Sequence, residues 1–518
     1  MHLLTRGFTR FFSQSMNLQT YQNKKVVIMG LGLHGGGLAA AKWFFKHGAR
    51  VIVTDMKNAH DLRISIEKLS DFCDTYTSIH PRQNVNPIEY VLGEHRLEDV
   101  KTADLIIQNP GVPRESEYLV AARQADVKIE NEVSLFFLLT PHVKKIGITG
   151  TKGKSTTTMF IYEILKRVYA DTHLVGVATP EGSVGFFEIL DEVIEHQEKG
   201  MSAPVIMELS SWQLELLDQH TSSPDIAVIT NVMRDHLNRY ATMEHYADAK
   251  KNIYQYQTSS DSIVLNYDNQ RTREMGLAGV PGQLYWFSAE NQSPSRGVFL
   301  KREDTRSSIC FSTGQDVDTV CRTDVLRIPG VHVLQDALAA VTVAKILHIP
   351  DETICAALSA FKGVRSRLEY ITEIEGRTFY NDTTATTPDA CIAALQTLDK
   401  GNKKRIILIA GGGDKHLEFK EVGQVVTQHV SALILLAGTA TPLFATSVAE
   451  AGFTKVMDMA NSMQEAVMKA WKHSKKNDSI VLSPACTSFG MFTNEFDRGE
   501  QFIREIERLR DSNNTSRT

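Results

Sequence analysis

The sequence predicts an α/β protein of three domains: an N-terminal Rossmann-like domain, a central phosphate-loop domain and a C-terminal Rossmann-like α/β domain. Three observations carry this. Lys145-Ile146-Gly147-Ile148-Thr149 is a short apolar run that opens on a glycine-bearing Lys-Ser-Thr loop and then a stretch of helical spacing. Upstream, Lys25–Gly30 is a buried-strand run followed by a second glycine loop, an alanine-rich helix and a strand ending in Asp55. Beyond residue 363, apolar runs again alternate with helix-forming stretches and open on Gly, Ser, Thr or Asp. At 518 residues the chain is too long for one core, and length alone suggests about three domains. The breaks in the pattern divide it into an extension over 1–22, a first domain over 23–139, a central domain over 140–363 and a third over 364–518.

Composition narrows the class. Hydrophobic residues make up 42% and charged residues 23%, ordinary for a globular protein. A net charge of −5 gives no basic footprint for nucleic acid, and no apolar run approaches membrane-spanning length. Six cysteines are scattered without a CxxC pair, which suits a reducing compartment and argues against a disulfide framework or a zinc site. Neither nucleic acid nor membrane is expected as a partner; the expected location is the cytoplasm and the expected state a monomer. Residues 1–22 carry Arg6 and Arg10 among Phe8, Phe11 and Phe12 without an acid. Charges break their apolar segment and a small-residue cleavage site is missing, so a loosely ordered extension is expected rather than a targeting peptide.

In the first domain, Gly30, Gly32 and Gly35 fit G-x-G-x-x-G, with Leu33 and His34 in the loop and Asp55 twenty residues beyond Gly35. Such glycines let a diphosphate approach the backbone, and the acid meets a ribose or base. Taken alone, this suits a nicotinamide nucleotide, or merely tight helix–strand packing. The strand Ala103–Gln108 then opens on Asn109-Pro110-Gly111-Val112-Pro113, a loop that belongs at the carboxyl edge of a parallel sheet, where ligands sit.

The central domain opens on Gly150-Thr151-Lys152-Gly153-Lys154-Ser155-Thr156. Strand, glycine loop and helix in this order cradle a polyphosphate: backbone N–H groups and the helix N-terminus face the phosphates, Lys154 reaches the outer ones and the Ser155 hydroxyl ligates Mg²⁺. The expected nucleotide is ATP. The strand Ala203–Met207 ends in Glu208, well placed for the other side of that ion. Another strand, Asp225–Thr230, leads to Asp235-His236, and helical spacing through Tyr246–Tyr254 carries Lys250 and Lys251, by default a solvated face. Residues 261 to about 325 alternate short β runs with polar turns. In the third domain, the strands Thr378–Asp382, Arg405–Ala410 and Ser479–Leu482 open on Thr383–Pro388, Gly411–Lys415 and Ser483–Gly490, which together make a polar crevice.

These stretches resemble the Mur ligases of peptidoglycan synthesis, most of all the glutamate-adding members. The resemblance rests on Gly150-Thr-x-Gly-Lys-Ser-Thr156, Glu208-Leu-Ser-Ser-Trp-Gln-Leu-Glu215, Thr230-Asn-Val-x-x-Asp-His236, Tyr246-x-x-Ala-Lys250, Gly330-x-His332, Arg367-x-Glu369, Asn381-Asp-x-x-Ala-Thr386, Gly411-Gly-x-Asp-Lys415 and Ser483-Pro-Ala-Cys-x-Ser-Phe489. It covers nearly the whole chain. It implies an ATP-dependent amide ligase that joins glutamate, with the D enantiomer favoured, to UDP-N-acetylmuramoyl-L-alanine through an acyl phosphate. Gly32, Leu33, His34, Gly35, Asp55, Asn109 and Gly111 would then hold the UDP moiety, displacing the nicotinamide reading. Arg367 and Asp382 would join the phosphate loop around ATP, and Thr386, Lys415, Ser488 and Phe489 would hold glutamate. Lys154, Glu208, His236 and Lys250 would be catalytic, with one Mg²⁺ on Ser155 and Glu208 and another on His236 and Lys250. An ammonium cannot ligate a cation, so the resemblance implies that Lys250 is carbamylated.

Three departures from the family pattern stand out. His332-Val333-Leu334-Gln335-Asp336 replaces His-Asn-x-x-Asn in the adenine-contacting stretch, Ala178–Ser183 replaces a Gly-Asn-Ile-Gly loop, and Thr384 replaces a lysine. The alternatives are an L-glutamate-adding ligase of the same family, a folylpolyglutamate-synthase-like ligase (which lacks the N-terminal glycine-fingerprint domain) and a nucleotide-binding module without turnover.

Overall fold

The computed structural model describes residues 18–515, apart from 33–35, 84, 180–181, 202, 234–239, 241, 291–294, 304–305, 329, 400–404, 415–416 and 489. Three sheets organise it, and the α/β expectation holds for each. The first has five parallel strands in the order Glu89–Leu92, Arg50–Asp55, Lys25–Met29, Leu105–Gln108, Lys128–Glu130. Val26 to Met29 are all buried, as they must be in a strand covered by helices on both faces. The strand order reverses between Lys25–Met29 and Leu105–Gln108, which opens a crevice at their carboxyl ends. Gly30 (φ +96°) and Asn109 face each other there. A Cβ on Gly30 would stand 2.9 Å from that of Asn109, so only glycine fits.

The second sheet has nine strands. Seven run parallel, in the order His173–Val175, Val205–Glu208, Lys145–Thr149, Ile226–Ile229, Ser262–Asn266, Gln283–Ser288, Gly297–Glu303. Arg306–Ser312 and Val317–Arg322 extend it antiparallel. Lys145–Thr149 is buried throughout and lies between the strands ending in Glu208 and Ile229, so its phosphate loop emerges at mid-sheet. On one face the helix Lys154–Leu165 packs against Val331–Ile346, where Phe160 and Ile161 share a core with Ala337 and Val341. The Phe160 and Phe361 rings are 3.7 Å apart. Burying each contributes roughly 1.5–3 kcal/mol.

On the other face, the helix Phe186–Glu198 joins the central sheet to the first domain. Phe187 lies 5.8 Å from both Trp43 and Phe44. Asp191 accepts from Trp43 Nε1 at 2.8 Å and Lys46 Nζ at 2.5 Å, and stands 3.3 Å from His47 Nε2. Burial alone would raise this carboxyl, but the bonds from His47 and Lys46 outweigh it and hold the group well below the usual carboxylate range. One apolar cluster runs through both domains, and Tyr21 belongs to it, edge-on to Trp43 and Phe44.

The third sheet orders its strands Glu369–Ile374, Arg377–Asn381, Ser479–Leu482, Ile406–Ala410, Val430–Leu436, Val456–Ala460, parallel except for the first pair. The three strands with polar ends are therefore neighbours. Backbone bonds lace their loops together: Asp382 N to Leu482 O at 2.8 Å and Gly411 N to Pro484 O at 2.9 Å. Among the described residues, no helix is long and apolar enough to cross a membrane. All six cysteines are free thiols.

Candidate active site

The phosphate loop is held by the strand beside it. Thr230 Oγ1 donates to Lys152 O at 2.6 Å, and Asn231 accepts from Lys152 N at 2.9 Å and donates to Lys152 O at 3.0 Å. Gly150 (φ +152°) and Gly153 (φ +82°) adopt conformations that strain other residues, and a Cβ on Gly150 would collide with Thr230 Oγ1 at 1.9 Å. Lys154 folds across the loop, its Nζ donating to Gly150 O at 3.1 Å and Thr151 O at 3.2 Å.

Ser155, first-turn residue of the helix, lies beside Glu208 at the end of the adjacent strand, and its hydroxyl favours the charged carboxylate. Burial pushes the Glu208 carboxyl up, opposed by Ser155 and by the charges of Lys154 and Arg367. Its Oε2 is buried with no hydrogen-bond partner among the described residues. A hydroxyl beside an unsatisfied carboxylate oxygen is a hard, all-oxygen donor pair, and it fits Mg²⁺. Lys250 is 1% exposed, under the Tyr246 ring at 4.5 Å, with Nζ 3.0 Å from Gly150 O and 3.5 Å from Thr149 Oγ1. The default solvated face is therefore wrong for this lysine and holds for Lys251, which is half-exposed and pairs with Asp248.

Arg367 reaches this loop from the third domain. It sits on a strained joint: Gly363, Ser366 and Leu368 have φ of +104°, +66° and +43°. The strain of the two non-glycine residues, of order 1–3 kcal/mol each, persists because neighbours overdetermine the turn. Asp382 Oδ1 accepts from Leu368 N at 3.0 Å, Thr384 Oγ1 donates to Ser366 O at 2.8 Å and Glu369 Oε2 accepts from Ser366 N at 2.8 Å. Burial pushes the Asp382 carboxyl up to about 7, opposed by bonds from Ser483 and Leu368 and by the Arg367 charge. Thr156, Val333, Arg367, Asp382 and Thr384 line one cavity of about 430 Å³ between the phosphate-loop helix and the third domain.

Gly32, Asp55, Asn109 and Gly111 meet in a second cavity, of about 390 Å³, in the crevice of the first domain. Asp55 accepts from Gly32 N at 3.1 Å and from Lys57 N at 2.9 Å, which ties the acid to the glycine loop. In the third domain Ser488 is buried and Thr386 bonds through its N–H to Thr384 O at 2.9 Å. Leu33, His34, Gly35, His236, Lys415 and Phe489 lie outside the described residues. A further cavity, of about 950 Å³, opens at the amino ends of the central strands, between Lys144, Asp225 and Arg296. It is at the far end of the sheet from the phosphate loop, and its mixed charges favour no single ligand.

The comparisons with known proteins follow the same three-part division. Residues 24–131 match the N-terminal domain of the MurD-like Mur ligases, 148–344 the Mur ligase middle domain and 366–486 the Mur ligase glutamate ligase domain. The UDP-N-acetylmuramoylalanine–D-glutamate ligase of Roseiflexus sp. (strain RS-1) is 36% identical over 93% of this chain and 98% of its own length. The chain belongs to the Mur ligase family. The enzyme of the same name from Clostridioides difficile (strain 630) is 33% identical over 94% of this chain and 99% of its own. The fold is shared with a solved Mur ligase, the UDP-N-acetylmuramate-alanine ligase MurC of Thermotoga maritima (TM-score 0.55, 18% identity, 94% of this chain and all of that one).

Seen as a Mur ligase, the chain's departures separate into different roles. Val333 lines the cavity beside Thr156, but Asp336 lies beneath the phosphate loop, accepting from Thr157 Oγ1 at 3.1 Å. A Cβ on Gly153 would meet its Oδ1 at 2.2 Å. Thr384 fastens the joint that carries Arg367. Three residues contribute without belonging to any motif. Arg498, fully buried, donates to Thr383 O at 2.8 Å, Thr383 Oγ1 at 3.1 Å and Cys486 O at 3.2 Å, locking two of the crevice loops. Trp43 and Lys46 hold the first domain to the second. Only an arginine inside an otherwise apolar helical face marks the first in the sequence.

Burial pushes the Asp336 carboxyl well above its ordinary 3.8, opposed only by Thr157. The unfolded chain ionises this group from about pH 4 upward while the folded chain resists, so stability is lost as pH rises from there towards the folded value. Asp336→Asn keeps the acceptor without the acid. Its melting temperature should exceed that of the unsubstituted protein, by roughly 2–4 °C for each kcal/mol regained in a domain of this size. The gain should be larger near pH 7 than near pH 5 in thermal scans; a gain independent of pH would contradict this account.

Proposed function

We propose that this Mur ligase joins glutamate, preferring the D enantiomer, to the alanyl carboxyl group of UDP-N-acetylmuramoyl-L-alanine with hydrolysis of ATP to ADP and phosphate. The observation that carries the reading is the Ser155–Glu208 pair beside the phosphate loop, with Arg367 brought to it by the third domain. The named D-glutamate ligases aligned over nearly the full chain support the choice of substrate and enantiomer. The nucleotides and six free thiols agree with action in the cytoplasm.

The first domain binds UDP in the crevice of Gly32, Asp55, Asn109 and Gly111. Leu33, His34 and Gly35 would join them as UDP-binding residues. ATP lies on Gly150–Thr156, with Arg367 and Asp382 across the joint. The alanyl carboxylate attacks the γ-phosphorus, giving an acyl phosphate and ADP; the glutamate amine then attacks the acyl carbon, and phosphate leaves with the bridging oxygen. Lys154 and Arg367 offset the repulsion between carboxylate and triphosphate. Ser155 and Glu208 would hold one Mg²⁺, and His236 with a carbamylated Lys250 a second; bound there, the ions neutralise developing charge on the phosphoryl oxygens. Thr386, Lys415, Ser488 and Phe489 hold glutamate. The third domain, turning on residues 363–368, covers the acyl phosphate and excludes water.

ADP release from ATP and UDP-N-acetylmuramoyl-L-alanine, with D-glutamate, L-glutamate or neither, tests the reading. Release with D-glutamate should exceed the other two. A higher kcat/KM for L-glutamate would overturn the enantiomer, and no dependence on either would overturn ligation.

A further inference from the structure

His173 and the pair Glu192 and His196 lie apart from all of this. His173 begins the outermost strand of the central sheet, paired with Val205 at the amino end, while the phosphate loop and Glu208 are at the carboxyl end. Glu192 and His196 stand one turn apart on the helix Phe186–Glu198. His173 Nε2 is 3.3 Å from His196 Nδ1, and Glu192 Oε1 is 4.0 Å from His173 Nε2; the other ring nitrogen of His196, Nε2, is 3.9 Å from Glu192 Oε1. One ligand atom from each residue falls within 4.8 Å of the others.

We propose that His173, Glu192 and His196 form a second type of metal site on this protein, for a borderline divalent ion such as Zn²⁺, with water completing the coordination. Ligands about 2.0–2.1 Å from a tetrahedral ion stand about 3.3 Å from one another. The two imidazole nitrogens already have that spacing. Glu192 is 59% exposed, so a change of rotamer brings its oxygen the remaining distance without disturbing the core. Two imidazoles and one carboxylate select Zn²⁺ or its neighbours over Mg²⁺, which takes oxygen ligands.

The ion would tie the edge strand to the helix, closing the ends of the segment that carries the Ala178–Ser183 departure. The same helix bears Asp191, which anchors Trp43 and Lys46 of the first domain. The site therefore couples metal occupancy to the stiffness of the joint between the first two domains.

Untagged full-length protein, stripped with chelator and returned to excess Mg²⁺, is titrated with Zn²⁺ by calorimetry and with Co²⁺ by visible absorption. One equivalent of either metal should bind with a tetrahedral Co²⁺ spectrum and raise the melting temperature. His173→Gln and His196→Gln should weaken binding by at least the roughly 10–100-fold that loss of an outer-shell partner costs. Ligase activity in Mg²⁺ should be unchanged. Glu192→Gln, on the exposed face, tests the same site should either histidine variant misfold by circular dichroism. Zn²⁺ affinity equal in all variants and the unsubstituted protein, or no saturable binding at all, would show that the 3.3 Å contact is a hydrogen bond between imidazoles and no more.

Discussion

Lys154→Ala should lower ADP formation by roughly 10²–10³-fold or more, the effect of removing one preorganised charge donor from a developing phosphoryl transition state. The Lys154 ammonium lies across the loop on the carbonyls of Gly150 and Thr151, where it faces whatever phosphate the loop cradles. Titration of the folded variant with UDP-N-acetylmuramoyl-L-alanine should give an unchanged affinity, because the crevice of Gly32, Asp55 and Asn109 belongs to another sheet. Equal loss of both ligands would refute the assignment of the two nucleotides to separate domains.

Lys250→Ala should be of similar size for a different reason. The Lys250 stem is enclosed, and its Nζ lies 3.0 Å from Gly150 O, at the base of the phosphate loop. Carbamylation would turn the tip from a donor into an anionic oxygen ligand facing that loop, so truncation removes a metal ligand and leaves a cavity. A short carboxylic acid added to the variant should restore part of the activity by filling the gap. Carbon-13 NMR of protein equilibrated with labelled bicarbonate should show a carbamate resonance that the variant lacks. Full activity in the variant, with no such resonance in the unsubstituted protein, would reject the modification.

The parts of this molecule that were legible in the sequence share one property: local chemistry forces them. Gly150, Gly153 and Lys154-Ser155 announce a loop that no other residues could form, and Val26–Met29 or Ile406–Ala410 can only be buried strands. Asp55 and Asn109 were legible as ends of strands, and the strand order then brings them to one crevice. The features that escaped depend on distant partners. Lys250 looks like one of two solvated lysines until Tyr246 and the loop at Thr149 cover it. Ser366 and Leu368 carry no sign of positive φ, since Asp382 and Thr384, about 15 residues on, impose it. Arg498 supports loops at Thr383 and Cys486 from the final helix, and nothing near it in the chain points there. Asp336 stood out as a departure in an adenine-contacting stretch, and only the tertiary packing puts it under Gly153 rather than in the cavity with Val333.

Activation of the alanyl carboxylate by phosphorylation, before glutamate attacks it, is open to an isotope measurement. UDP-N-acetylmuramoyl-L-alanine labelled with oxygen-18 in the alanyl carboxylate is turned over with ATP and D-glutamate, and the released phosphate is analysed by mass spectrometry. An acyl phosphate passes its bridging oxygen to the leaving phosphate, so each phosphate should carry a single labelled oxygen. Unlabelled phosphate, released alongside amide product, would contradict the account.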